Sequence, residues 1–190
     1  MEKFDITWLD PIRLKLAEKE DQTSLVDRLS KQIKGEVDIG GMTRSVYVIR
    51  MAGSFIIQYP KGPSPVVYVG RGDSVSRLAT HLKNWASEIF VWGSDTEIEI
   101  RVLRPARKNR TEYFKNVEAD LLDWFGSRFG TLPLINSRYE TSWAGAVEYG
   151  PSQSARLWQM LGIGKGVRHK WALQPLRSNK LYKKYLRGSD

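Results

Sequence analysis

Tyr68-Val69-Gly70-Arg71-Gly72-Asp73-Ser74-Val75-Ser76-Arg77-Leu78-Ala79-Thr80-His81 is the stretch on which the reading of this chain turns. Val66, Val67 and Val69 around Tyr68 are β-branched and predict a strand. Arg71-Gly72-Asp73 turns the chain out of the sheet. Asp73 or Ser74 is placed to cap a helix by accepting a first-turn backbone N–H. Val75, Leu78, Ala79, Leu82, Trp85 and Ala86 then recur at helical spacing and predict one buried stripe. Arg77 and His81 are four residues apart, so they share a helix face beside that stripe. A guanidinium and an imidazole are thereby brought to the rim of the sheet, near Tyr68.

Outward from this stretch, Ser45-Val-Tyr-Val-Ile-Arg-Met51 reads as an earlier strand broken by Gly53, and Phe55–Tyr59 as another. Pro60–Pro65 is a turn-rich connector. Side chains alternate along a strand, so pairing of the strands of Tyr47 and Tyr68 lets both phenols stand on one face. Residues 96–103 alternate polar and apolar, which predicts a half-buried strand with one wet face. Residues 111–129 form the clearest helix, with Val117, Leu121, Phe125 and Phe129 along one stripe and Gly130 ending it. Glu118 lies in register with Leu122, Phe125 and Phe129, which aims its carboxylate at the protein; the alternative is a surface Glu in the N-terminal half of the helix, where the dipole favours it. Burial of that charge is unfavourable unless a partner or a metal compensates. Before residue 40, Leu25, Leu29 and Ile33 predict an amphipathic helix ending at Gly35.

Composition bounds the chemistry. The chain has 190 residues, 41% apolar, with seven Trp, enough for one domain with room for an added module. No apolar run approaches about 18 residues, so no membrane span is expected. The acidic, polar start at Met1–Asp5 has no apolar core of a secretion signal, and a cytoplasmic location is expected. Cysteine is absent and only His81 and His169 are present, which excludes disulfides, iron–sulfur clusters, thiolate zinc and His-rich zinc sites. A bound metal is left with oxygen ligands, which suit Mg²⁺ or Mn²⁺.

The net charge of +9 is concentrated: residues 151–190 carry nine Lys and Arg against one acid, Asp190. Arg168, Lys170, Arg177, Lys180, Lys183, Lys184 and Arg187 alternate there with Trp158, Trp171, Tyr182 and Tyr185. Cations meet phosphates and exposed aromatic rings stack on bases, so this segment is expected to contact nucleic acid. The plainer alternative is that its aromatic rings bury against the core. Residues 181–187 read as a basic amphipathic helix, without the broad apolar face of a membrane-surface helix. Gly162-Ile-Gly-Lys-Gly166 lacks the Gly-Lys-Ser/Thr of a nucleotide-binding loop and reads as a glycine turn.

The ordered set Tyr47, Tyr68, Arg77, His81, Glu118 and Asn136 resembles the GIY-YIG nuclease family over roughly residues 44–138. The family pattern has a Tyr in a strand, a second in Tyr-Ile/Val-Gly, then an Arg on a helix with His or Tyr four residues on. A Glu on a later helix and an Asn near the domain end complete it. Arg71 stands where many members carry a basic residue. Ser45 and Val46 replace the Gly and Ile of the first triplet, and the tyrosine spacing of 21 implies an inserted hairpin. The Glu118-to-Asn136 spacing of 18 is also long.

The resemblance implies an α+β fold with a small, mainly antiparallel central sheet flanked by helices. Residues 1–40 would form a helical extension and 139–190 a basic, nucleic-acid-binding one. It implies Mg²⁺ held by Glu118, the scissile phosphate by Arg77, and Asn136 fixing the metal-site geometry. Tyr47 positions the attacking water and accepts its proton, with His81 a competing base, and Tyr68 bonds the water or phosphate. The implied activity is a metal-dependent DNA endonuclease, restriction-type in character. Cutting both strands with one site per chain calls for a homodimer or two sequential nicks. The alternatives are a non-cutting nucleic-acid-binding protein on the same fold, an RNA-directed nuclease, and a toxin or defence nuclease.

Overall fold

β-Branched residues at Val46, Val48, Val66, Val67 and Val69 build the middle of the molecule, each fully buried. The computed structural model describes residues 4–15, 23–24, 27–28, 31–32, 43–86, 96–107, 111–140, 147–164, 169–174, 176 and 178. Its strands are β1 Phe4–Trp8, β2 Ile12–Lys15, β3 Ser45–Gly53, β4 Phe55–Tyr59, β5 Gly62–Ser64, β6 Val66–Gly72, β7 Thr96–Arg107 and β8 Trp171–Leu173. Its helices are α1 Ser74–His81, α2 Tyr113–Phe129 and α3 Pro151–Leu161, with a π-helical turn, Leu82–Ala86, continuing α1. The main sheet runs β1-β7-β3-β6, antiparallel throughout, with β2 also on β7. A small second sheet runs β5-β4-β8, with β8 parallel to β4. The fold is α+β, and none of its described helices is long and apolar enough to cross a membrane.

The strand register assigns the two faces. Tyr47, Ile49 and Met51 of β3 lie opposite Val102, Ile100 and Ile98 of β7, so these share one face, together with Ile12 and Leu14 of β2. On the other face, Val46, Val48 and Arg50 lie opposite Leu103, Arg101 and Glu99. Helix α2 covers this second face: Tyr113 at its start meets Phe4 of β1, ring centroids 5.0 Å apart. Helix α1 covers the first.

Three expectations need correction. Residues 4–15 are not helical; they add β1 and β2 to the main sheet, so the first forty residues are not simply an appendage. Ile6 and Trp8, alternating with polar residues, carry a period of two that the helical reading further on obscured. The apolar positions of that predicted helix, Leu25, Leu29 and Ile33, lie outside the described residues, although 23–24, 27–28 and 31–32 are helical. Likewise the segment after residue 138 is partly core. Leu157, Met160 and Leu161 of α3 are buried, and Trp158 stacks on Trp124 of α2 with centroids 5.4 Å apart. Amphipathic spacing inside a basic segment decided this: charge described its surface and hid its apolar stripe.

The third correction concerns β7, whose polar face is not wet. Glu99 is 4% exposed and gathers Arg13, Arg50 and Arg101 from β2, β3 and β7, at 2.8, 3.4 and 2.7 Å. Burial pushes the Glu99 carboxyl up, but Arg50 and Arg101 more than offset it and hold it below the usual carboxylate range. Burial draws Arg50 down to about 10, which leaves it charged at neutral pH. Its guanidinium donates to the carbonyls of Gln159, Met160 and Gly162, satisfying the C-terminal end of α3. Replacing Arg50 by Met strips those carbonyls of their donor and uncovers part of Glu99's charge. The expected loss is about 3 kcal/mol, or roughly 6–12 °C in Tm for a domain of this size, read by thermal melting.

Candidate active site

The strand carrying Tyr68 ends at Gly70-Arg71-Gly72, and both glycines are needed there. A Cβ on Gly70 would lie 2.5 Å from Tyr68 Cε1 and 2.7 Å from Tyr47 Cζ, so hydrogen alone fits between the rings. Gly72 has φ +110°, a backbone region that glycine favours, and it releases the chain toward α1. Asp73 caps α1: its Oδ1 accepts the backbone N–H of Val75 at 3.1 Å and of Ser76 at 3.4 Å. Ser45, at the start of β3, donates to Gly72 O at 3.0 Å and hydrogen-bonds Ser74. The first residues of β3 and α1 are thus tied together.

This places four of the predicted residues in one cluster. Tyr47 lies opposite Gly70 and Tyr68 opposite Ile49, so both phenols stand on the same face, ring centroids 6.0 Å apart. His81, at the last position of α1, lies tilted against the Tyr68 ring, centroids 4.4 Å apart, and its Nε2 is 2.9 Å from the Tyr47 hydroxyl. Arg77 feels both phenols, Tyr47 first, and its guanidinium holds its charge more firmly for it. Burial and then the Arg77 charge bring His81 down to about 4, so it is neutral at physiological pH. Tyr47 is wholly buried; burial, followed by Tyr68, pushes its phenol up, while Arg77 draws it back. Arg77 is the exposed member of the cluster.

The acid arrives from the other face. Arg71 lies opposite Val46, one position beyond Gly70, and so turns toward α2. There its Nη1 is 2.7 Å from Glu118 Oε2, and its Nη2 is 3.3 Å from Glu140. Glu118 is 6% exposed. The 2.7 Å contact lacks hydrogen-bond geometry, leaving Arg71 Nη1 and Glu118 Oε2 as buried polar atoms without a hydrogen bond. Close charges in poor alignment give attraction without saturating the oxygen's lone pairs. Burial raises the Glu118 carboxyl to about 7, against the pull of Arg71 and with help from Glu140. Glu118 and the phenol cluster are therefore separated by edge strand β6 yet electrostatically coupled: Tyr47 feels Glu118, and Glu118 feels Arg77.

Asn136 serves β6 directly. Its Oδ1 accepts Val69 N–H at 2.9 Å and its Nδ2 donates to Val69 O at 2.8 Å, so its side chain pairs with the open edge of the sheet. This fixes the strand between Tyr68 and Arg71.

Of the predicted nucleic-acid contacts, Lys170 is described and exposed, with its backbone N–H on Ser54 O at 2.8 Å. Arg168, Arg177, Lys180, Lys183, Lys184 and Arg187 lie outside the described residues, as does the predicted helix at 181–187. Trp171 is 64% exposed on β8, and Trp158 remains 40% exposed beside its stacking partner. Two neighbours of the cluster were not foreseen. Trp85 had registered only as part of an apolar stripe, although its spacing of four from His81 was the available signal. Glu140 carries no pattern in the sequence and is brought in by the chain after Asn136. A separate cleft of about 660 Å³ lies toward the far end of β3, lined by Arg13, Arg50, Glu99 and Arg101 among others. All three arginines there are ion-paired with Glu99, which marks a structural cluster.

Among the described residues no group of three or more His, Cys, Asp or Glu side chains could hold a metal. The donor available to a hard ion is Glu118 Oε2, buried and accepting no hydrogen bond, and an ion there would first have to displace the Arg71 guanidinium. Comparisons with protein-family models, with curated proteins and with solved structures give no match.

Proposed function

We propose that this chain is a divalent-metal-dependent endonuclease hydrolysing phosphodiester bonds in DNA, as its resemblance to GIY-YIG nucleases implies. The observation that carries the reading is the joint one: the Tyr47–His81 hydrogen bond beside Arg77 and Tyr68, electrostatically coupled to a buried carboxylate oxygen with no hydrogen bond. Hydrolysis needs a positioned water, charge compensation on the phosphate and support for the leaving oxygen. Arg77, exposed and forked, is suited to grip the scissile phosphate. Glu118 would hold Mg²⁺ or Mn²⁺, and Arg71, now on that carboxylate, would turn to the phosphate. When bound, the ion supplies polarisation of the phosphoryl oxygens and stabilisation of the departing oxygen. The water oxygen bonds to phosphorus as the P–O3′ bond breaks; the water's proton passes to Tyr47 in its phenolate form or to neutral His81, and the 3′ oxygen is protonated from solvent. Products carry 5′-phosphate and 3′-hydroxyl.

The test is incubation with supercoiled plasmid and Mg²⁺, then with EDTA. Nicked or linear product that EDTA abolishes supports the reading. Retarded, intact plasmid in both arms supports a second one, a non-cutting nucleic-acid-binding protein. One observation favours that alternative: Tyr47 is fully buried, and water reaches its hydroxyl only after a neighbour moves. Labelled RNA in competition with DNA separates the RNA-directed form. Sedimentation with cognate duplex reports whether two copies act together.

A further inference from the structure

The Tyr47–His81 hydrogen bond has two possible directions, and the choice decides which group takes a proton. An imidazole that is neutral has one N–H and one bare nitrogen. Trp85 lies on the π-helical turn that continues α1, and its indole Nε1 is 3.0 Å from His81 Nδ1. Indole nitrogen only donates. His81 Nδ1 is therefore the bare, accepting nitrogen, and the ring proton sits on Nε2. Nε2 is the atom 2.9 Å from the Tyr47 hydroxyl, so the imidazole donates and the phenol oxygen accepts.

We propose that Trp85 is a positioning residue: its indole N–H locks His81 as an Nε2–H donor, so that His81 orients Tyr47 and cannot itself accept a proton from water. This rests on the nuclease reading for its catalytic meaning, though the tautomer follows from geometry alone. Both imidazole nitrogens are occupied, one accepting from Trp85 and one donating to Tyr47. The Tyr47 oxygen, by contrast, faces donors: His81 on one side and Arg77 on another. A phenol whose oxygen already accepts from His81 points its own O–H elsewhere. A phenolate at that place would find donors already aligned. The pinned ring also packs at a tilt against Tyr68, centroids 4.4 Å apart, and against Trp85 at 5.5 Å, which limits the flip that would exchange its nitrogens. The π-helical turn fits the same purpose, since such turns re-aim a side chain at a functional site.

The experiment is ¹⁵N NMR on the wild-type chain, whose two histidines make assignment direct. The expected spectrum has His81 in one neutral tautomer, Nε2 protonated, with a scalar coupling across the Trp85 Nε1–H to Nδ1 bond. A proton on Nδ1, or no coupling to Trp85, overturns the proposal without touching the nuclease reading. Trp85→Phe then removes the donor while keeping an aromatic ring. The expected result is loss of that coupling, a His81 that protonates at higher pH because Nδ1 is released, and kcat lower by about 10-fold at unchanged KM. An unchanged His81 spectrum in a folded Trp85→Phe protein overturns it. If wild type shows the Nε2–H tautomer and the coupling but cuts neither DNA nor RNA, the positioning geometry stands and the nuclease reading falls.

Discussion

Glu118→Gln is expected to abolish Mg²⁺-dependent cleavage, by about 1000-fold or more, while making the protein more stable at pH 8. The two effects have one cause. Glu118 is 6% exposed and its carboxyl is raised to about 7 by burial, against Arg71. An acid whose folded pKa lies above its unfolded value of about 4.3 destabilises the fold as pH rises between the two, and by a constant amount above the higher. Gln has nearly the same shape without the charge. The variant should therefore match wild type in Tm near pH 4, gain on it up to pH 7 and then hold a lead of about 2 kcal/mol, roughly 4–8 °C. The same carboxyl must be ionised to bind a metal, so Mn²⁺ affinity of the wild type should be full above pH 7 and fall as pH drops through it. Calorimetric titration of Mn²⁺ at pH 6 and pH 8, with paired melts of both proteins, reads all of this. A variant that cuts like wild type ends the proposed role; one that melts lower at pH 8 ends the account of its burial. Residues kept for chemistry at a cost in stability are the expected pattern at active sites.

Gly70→Ala should be as damaging as the loss of a large core side chain. The added methyl would lie 2.5 Å from Tyr68 Cε1 and 2.7 Å from both Cζ and the hydroxyl oxygen of Tyr47. Tyr47 has nowhere to go, since it is fully buried and bonded to His81; the half-buried Tyr68 can swing outward. A loss of about 3 kcal/mol is expected, with cleavage reduced in parallel because the phenols no longer face His81 together. Elsewhere in a strand, Gly to Ala tends to stabilise, which gives the prediction its edge. Truncating Tyr68 in the Gly70→Ala background removes the shorter contact and should restore about half of the lost stability, measured as a double-mutant cycle in urea. A Gly70→Ala protein with wild-type melting and activity would show that the rings are not packed as described.

The strands carrying Tyr47 and Tyr68 and the helix at 111–129 were legible because each expresses one strong period, two or 3.6, within a short window. Glu118 was legible in part: its register with Leu122, Phe125 and Phe129 aimed it inward, while its place in the helix's N-terminal half also suited a surface acid, and it is buried. Alternation allowed both phenols one face, and the register of β3 on β6 put them there. Periodicity failed where burial depended on distant partners. The acidic and basic residues of β7 looked solvated, and became a buried cluster because Arg13 and Arg50 arrive from other strands. Asn136 reads in the sequence only as support for a metal ligand; that its amide pairs with the edge of β6 is set by where the chain runs after α2.

The order and spacing of residues alone settled which side chains could share a helix or strand face, and with no cysteine and two histidines it left a metal mostly oxygen ligands. Tertiary structure alone decided that Arg71 and Glu118 meet on one side of β6 while Tyr47, Tyr68 and His81 meet on the other. It also decided that Trp85 sets the direction of a hydrogen bond on the ring beside it. The reason is physical: local sequence fixes the direction of a side chain relative to its own backbone, but the field and hydrogen-bond partners at its tip come from segments far along the chain.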